Sequence, residues 1–123
     1  MIADDAGFIR EALKNICESL GHLVVAEAKD GQEVIILNKH FRPDVIIMDM
    51  VMPLQNGIET TKLLIEEDPR ICVIACSALD EDFIAQRALK AGCLTILKKP
   101  FTKDDVKMAL DFINKAKKEV RHA

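Results

Sequence analysis

Two runs near the middle of this chain constrain its fold more than any other feature. Val45-Ile46-Ile47-Met48 and the stretch from Ile71 to Cys76 are continuously apolar. A strand wetted on one side alternates apolar and polar residues, so unbroken runs predict strands covered on both faces. Around them the spacing changes to that of amphipathic helices. Ile9, Leu13, Ile16 and Leu20 fall at i, i+4, i+7 and i+11 and predict a helix over 8–20, with Gly21 where helices often end. Val34, Leu37 and Phe41 form a second helix face, stopped before Pro43. Ile58 to Glu67 is a third helix with a less clean stripe, and Ile84, Ala88 and Ala91 give a fourth that ends at Gly92. Val106, Leu110, Ile113 and Lys117 make the last, opened by Thr102 and Asp105 in a capping-box arrangement. Three more strands complete the series: a short start at Ile2-Ala3, a mixed segment Leu23 to Ala28 suited to a sheet edge, and Leu94 to Leu97. Asp30-Gly31 marks a turn, and Pro53 with Asn56-Gly57 marks a loop. Five strands alternating with five helices predict an α/β fold, a doubly wound parallel sheet with helices on both faces.

Composition narrows the class. At 123 residues, the chain has the length of one domain, spanning 1–123, and is 50% hydrophobic and 30% charged, which excludes a disordered tail. That length buries enough surface to fold without disulfides or a structural metal. A net charge of −3 argues against direct nucleic-acid binding, which needs a basic excess. No stretch approaches the roughly 20 apolar residues of a membrane span. The start Met1-Ile2-Ala3-Asp4-Asp5 has neither the basic flank nor the apolar core of a secretory signal. Cys17, Cys72, Cys76 and Cys93 lie in apolar or helical surroundings with no Cys-x-x-Cys, so free thiols in a reducing cytoplasm are expected. The scattered His22, His40 and His122 read as solvated residues. The basic tail Lys115 to Arg121 suits a helix C-terminus, or a linker to another domain.

Open parallel sheets bind ligands at the carboxyl ends of their strands. Asp4 and Asp5 follow the first predicted strand, Asp49 the third, Ser77 and Ala78 the fourth, and Lys98, Lys99 and Pro100 the fifth. Taken singly, each has an ordinary reading: a strand-end Asp caps a turn, a loop Ser is solvated, and paired lysines face water. Together they place three carboxylates, a hydroxyl and an ammonium on one edge. Clustered carboxylates repel unless a cation joins them, and Mg²⁺ suits a few carboxylates plus water. A carboxylate beside such an ion and an ammonium can attack a phosphoryl group to give an acyl phosphate, and a nearby hydroxyl can bond the product. That would be a local trigger for a two-state loop.

The chain resembles the receiver domain of bacterial two-component response regulators. The resemblance rests on Asp4-Asp5, on Val45 through Pro53 with Asn56-Gly57, on Cys76-Ser77-Ala78, on Ala91-Gly92 and on Lys99-Pro100-Phe101. Asp4-Asp5-Ala6-Gly7-Phe8-Ile9-Arg10 leans toward the chemotaxis regulators within that family. The resemblance implies a flavodoxin-like (βα)5 fold with strand order 2-1-3-4-5. It implies that Asp49 is the phosphoacceptor, that Asp5 and Asp49 bind Mg²⁺ directly, and that Asp4 acts through a water. The backbone carbonyl of Val51 would be a further ligand. Lys99 would contact the phosphoryl group, with a cis peptide before Pro100. Ser77 would be the switch hydroxyl, and small Ala78 would leave room for phosphoryl entry. A sensor histidine kinase would be the donor. A downstream protein would bind the face of the fourth helix, fifth strand and fifth helix, near Ile96, Lys98, Phe101 and Lys103. An apolar centre with basic rims there would suit an acidic amphipathic helix; packing of Phe101 in the core is the other reading. On this view the chain is no conventional enzyme, although it promotes its own phosphorylation and slow dephosphorylation.

Three features depart from the family pattern. The first strand is short, which suggests a trimmed chain and predicts reduced stability. Ile96 stands where an aromatic residue is common, so a ring-flip switch cannot operate. Val51 and Leu79 flank the site where polar residues of some relatives position water, which predicts slow loss of the phosphoryl group. Alternatives differ in chemistry. A receiver cut from a larger regulator would share every motif. An FMN module would need a phosphate cradle where Asp4-Asp5 stands, and an aspartyl-phosphate phosphatase would need an acid where Val51 stands.

Overall fold

The computed structural model describes the backbone of residues 1–122 and the side chains of residues 1–119. The chain alternates β1 (Ile2–Ala3), α1 (Gly7–Ser19), β2 (Glu27–Ala28), α2 (Gly31–Phe41), β3 (Ile46–Asp49), α3 (Gly57–Glu67), β4 (Val73–Ala78), α4 (Asp82–Ala91), β5 (Thr95–Lys99) and α5 (Lys103–His122). The five strands form one parallel sheet in the order β2-β1-β3-β4-β5, as the resemblance implied.

Alternation along the strands sends successive side chains into two separate layers. In β3, Ile46 and Met48 join Val34 of α2, Ile58 and Leu64 of α3 and Ala88 of α4. Ile47 points the other way, with Ile2, Ile74 and Leu97, onto Leu13 and Cys17 of α1 and Val106, Leu110 and Ile113 of α5. Covering both faces is what the unbroken apolar runs required. Burying a side chain the size of Ile74 or Met48 contributes about 1.5–3 kcal/mol. All four cysteines are buried free thiols.

Side-chain caps set where several helices start. Asp30 accepts from the Glu33 N–H at 2.8 Å, while Glu33 reaches back to the Lys29 N–H at 3.0 Å. Asn56 accepts from the Glu59 N–H at 2.9 Å. The box predicted at α5 is present: Thr102 Oγ1 accepts from the Asp105 N–H at 3.1 Å, and Asp105 accepts from the Thr102 N–H at 2.8 Å. Each such cap contributes on the order of 1 kcal/mol.

Two strand predictions need correction. The second strand was expected over 23–28, but β2 comprises only Glu27–Ala28. A strand exists only where a neighbour pairs with it, and β1 reaches back no further than Ile2, opposite Glu27. At the other end, β4 and β5 run beyond their apolar cores. Ser77 pairs with Lys98 and Ala78 with Lys99, so these residues lie within the ladder and not after it. Among the described residues, no helix is long and apolar enough to cross a membrane.

Candidate functional site

The first crossover from β1 leads to β2 on one side and the chain then returns to β3 on the other. The direction of winding therefore reverses beside β1, and parallel sheets leave a crevice at the carboxyl ends there. Asp4 directly follows β1 and Asp49 is the last residue of the adjoining β3. Lys99 ends β5, two strands away, and its long side chain spans the gap. Its Nζ donates to Asp4 Oδ2 at 2.8 Å and to Asp49 Oδ2 at 3.1 Å. The peptide between Lys99 and Pro100 is cis.

The remaining carboxylate oxygens are fixed by the backbone. Asp4 Oδ1 accepts from the Ala6 N–H at 2.9 Å, and Asp49 Oδ1 accepts from the Val51 N–H at 3.1 Å. Asp4 and Asp49 are buried, while Asp5 is exposed beside them. One oxygen from each of the three lies within 4.8 Å of the others. Gly57 lets α3 start close against the end of β3. A Cβ there would overlap the Asp49 carbonyl and Met50, so α3 could not start against the end of β3.

Asp4 and Asp49 share one ammonium, and the titration of Asp49 and Lys99 reflects it. Burial pushes Asp49 above the usual carboxylate range; the Val51 N–H and the Lys99 charge pull it back but do not win, and Asp4 pushes it further up. Burial pulls Lys99 down, but its hydrogen bond to Asp4 and the charges of Asp49 and Asp4 outweigh that and raise it. One cation divided between two acids does not offset the desolvation of Asp49. A second cation would relieve this excess. The donor set is all oxygen and carries high negative charge, which is what a hard dication selects. Ligand oxygens on one Mg²⁺ lie at most about 4.2 Å apart, so this cluster needs little closing.

A second unmet demand lies beside the acids. Ser77 is buried at 1% exposure, and among the described residues its Oγ has no hydrogen-bond partner. Leaving such a hydroxyl unpaired costs on the order of 1–3 kcal/mol. Its neighbour Ala78 is held by its backbone: the Ala78 N–H donates to Glu81 Oε1 at 2.7 Å, and Lys98 Nζ lies 3.5 Å from the Ala78 carbonyl and 2.8 Å from Asp82 Oδ1. Val51 and Leu79 are exposed at 51% and 65%, so the rim offers apolar side chains where water reaches the site.

The residues expected at an output face are spread over the fifth strand and the start of α5. Ile96 is half-buried against the α2–α3–α4 layer, whereas Phe101 is half-buried against the α1–α5 layer. Lys98 is tied to Asp82, and Lys103 is exposed. Two further contributors stand beside the residues predicted from sequence. Arg10 Nη1 donates to the Asp4 carbonyl at 2.7 Å while its Nε faces Glu27 at 3.4 Å, and Glu81 anchors Ala78. Arg10 depends on how α1 leaves β1, which no spacing rule captures. Glu81 follows Ala78 by three, an interval that suits a local side-chain bond to the backbone.

Comparison with known proteins places this geometry in a family. The response regulator receiver domain matches residues 1–111. The chain is 37% identical over 115 residues to the chemotaxis protein CheY of Thermotoga maritima, covering 94% of this chain and 96% of that one. It is 37% identical over 102 residues to a protein-glutamate methylesterase/protein-glutamine glutaminase of Hahella chejuensis, covering 81% of this chain but 29% of that protein. In structure it resembles CheY in a CheX–CheY–BeF3–Mg²⁺ complex from Borrelia burgdorferi, with a TM-score of 0.83 and 31% identity over 89% of this chain and 83% of that one. With the 2-1-3-4-5 sheet and the acid cluster at its carboxyl edge, these matches identify the chain as a member of the response regulator receiver domain family.

Proposed function

We propose that residues 1–123 form a Mg²⁺-dependent phosphoryl-accepting switch of the chemotaxis type, with Asp49 as acceptor and a sensor histidine kinase as donor. The observation that carries this reading is the Lys99 ammonium held between two buried carboxylates, beside the exposed Asp5. Mg²⁺ held by Asp5, Asp49 and the Val51 carbonyl, with Asp4 acting through a water, would neutralise charge on the transferring phosphoryl oxygens. An Asp49 oxygen forms the new bond to phosphorus, and the donor's leaving group departs with the electron pair of the bond that breaks. Lys99 exchanges a carboxylate for a phosphoryl oxygen. Ser77 Oγ, now without a partner, turns to donate to the same group and draws Ala78 with it. The small Ala78 side chain leaves the entry open. The shift passes to α4, β5 and α5, where a downstream protein docks near Ile96, Lys98, Phe101 and Lys103. The Borrelia relative, seen with both Mg²⁺ and CheX, supports a metal and a protein target. Four buried free thiols suit a cytoplasmic setting.

A second reading, the same receiver within a longer regulator, is favoured by the Hahella match, which covers 29% of that protein. It leaves the chemistry unchanged. An FMN module is disfavoured because three carboxylates repel a bare phosphate. Acetyl phosphate with Mg²⁺ tests the proposal. Intact mass should rise by about 80 Da, and should not do so without Mg²⁺ or in Asp49→Asn. A parent protein that gains no mass contradicts the proposal. Once formed, the acyl phosphate should decay over minutes or longer, because Val51 and Leu79 do not orient water. Decay within seconds without a phosphatase would refute that part.

A further inference from the structure

Asp4 is held at every polar group it has. Its N–H donates to the Ala28 carbonyl at 3.0 Å, its Oδ1 accepts from the Ala6 N–H at 2.9 Å and its Oδ2 accepts from Lys99 Nζ at 2.8 Å. The remaining group, its carbonyl, accepts from Arg10 Nη1 at 2.7 Å. The ladder explains why a side chain is needed there. In a parallel pair, the N–H and the carbonyl of one residue face the same neighbouring strand. Ile2 and Asp4 both donate toward β2, so the Asp4 carbonyl also points that way, where the next donor in register would be the N–H of Asp30. β2 ends at Ala28, however, and Asp30 already caps α2, so Arg10 supplies the donor instead.

Arg10 stands where a cation has little else to gain. It lies in the opening turn of α1, whose positive end disfavours an added positive charge. That helix also opens on Ala6 with no side-chain cap and no acid in its first turn. The guanidinium reaches back past the helix start, with Nη2 3.6 Å from where a Cβ on Gly7 would stand. Its Nε faces Glu27 Oε1 at 3.4 Å, and the side chain is only 23% exposed. One side chain thus ties the end of β1, the start of α1 and β2 together.

We infer that Arg10 is a positioning residue for the acid cluster, acting through the peptide that joins Asp4 to Asp5. That peptide is planar, so fixing the Asp4 carbonyl fixes the direction in which Asp5 leaves it. Asp5 is exposed, so packing does little to aim its carboxylate and the preceding peptide does most. Glu27 in turn orients the guanidinium. The inference rests on the reading that Asp4, Asp5 and Asp49 hold Mg²⁺. Charge and positioning act in opposite directions here. As a bare cation near the acids, Arg10 repels Mg²⁺, and removing it would tighten binding. As a strap it holds the acids ready, and removing it weakens binding.

The test measures Mg²⁺ affinity by titration calorimetry at constant ionic strength, on the full chain and on Arg10→Met, Arg10→Lys and Glu27→Gln. Arg10→Met should raise the Mg²⁺ Kd about tenfold, the scale on which a lost outer-shell partner weakens a metal site. Arg10→Lys keeps the charge but not the two-armed reach, and should raise it by only about threefold. Glu27→Gln, which leaves the strap in place but unanchored, should have a similar small effect and carries the test should Arg10→Met fail to fold. In metal-free protein, the Ala6 amide should exchange several-fold faster in Arg10→Met, while amides in α4 stay unchanged. Acetyl phosphate labelling of that variant should return to the parent rate at saturating Mg²⁺. An unchanged or lowered Kd in the Arg10 variants, or slow labelling that saturating Mg²⁺ does not restore, would overturn the inference. A parent protein that binds no Mg²⁺ would overturn the reading beneath it, a result that needs no variant to recognise.

Discussion

The two edges of one sheet carry opposite kinds of incompleteness. At the carboxyl edge the side chains are too many: Asp4, Asp5 and Asp49 crowd together with Lys99 bonded to two of them, and Ser77 is buried without a partner among the described residues. At the amino edge backbone groups lie open: among the described residues, the N–H groups of Val24, Ala26 and Val45 have no hydrogen-bond partner within the protein, beside a cavity between 22–25 and 43–45. The first deficit is electrostatic and a ligand can relieve it. The second lies in backbone pairing and packing, not in charge. A fold can hold stored demand at its functional edge because the two layers beneath, around Ile74, Met48 and Leu64, are fully buried.

Lys99→Ala should break the comparison hardest. It leaves Asp4 and Asp49 buried with no cation and should cost about 3 kcal/mol in thermal or denaturant unfolding, with much of the loss recovered on adding Mg²⁺. Melting unchanged from the parent would mean that the acids are not crowded. Gly57→Ala comes next, at roughly 2 kcal/mol, because its Cβ would press on the Asp49 carbonyl and Met50. Gly7→Ala is the matched control: the nearest atom is the flexible end of Arg10, 3.6 Å away, and the midpoint should hardly move.

Asp49→Asn should stabilise at neutral pH, by less than either loss. The folded-state pKa of Asp49 is raised, so the stability tied to its proton is complete below 3.8 and is lost as pH rises through the raised value. The gap between variant and parent should therefore close as a titration of melting midpoints approaches about pH 4. Smallest of all is Ser77→Ala, expected within about 1 kcal/mol of the parent and on the stabilising side, since it removes a buried hydroxyl that bonds nothing. The same variant should blunt any conformational response to phosphoryl or beryllofluoride, followed by exchange at the Ala78 amide.

Much of this was legible before any coordinates, for identifiable reasons. Burial on both faces writes itself as unbroken apolar runs, so β3 and β4 were plain. Ligand sites at strand ends made Asp4, Asp5, Asp49 and Lys99 a cluster although 95 residues separate the outermost pair. The length of β2 was not legible, because Leu23 to Ala26 has strand character but its state depends on what stands beside it. Nor were the ends of β4 and β5, where Ser77 and Lys98 pair through backbone groups that side-chain patterns do not report. Phe101 admitted two readings from sequence, and its half-buried place against the α1–α5 layer reflects helix placement that no periodicity encodes. Asp30 and Asn56 read as turn and loop residues, but each is followed three positions later by Glu, a spacing that marks a helix start.

The central claim is that the acids and the lysine form a single phosphoryl-accepting centre. Borohydride trapping tests it at residue resolution. After incubation with acetyl phosphate and Mg²⁺, reduction converts an aspartyl phosphate to homoserine, which peptide mass spectrometry locates. Homoserine at position 49, absent without Mg²⁺ and strongly reduced in Lys99→Ala, is the expected result. Homoserine at another aspartate, or at none, would contradict the account.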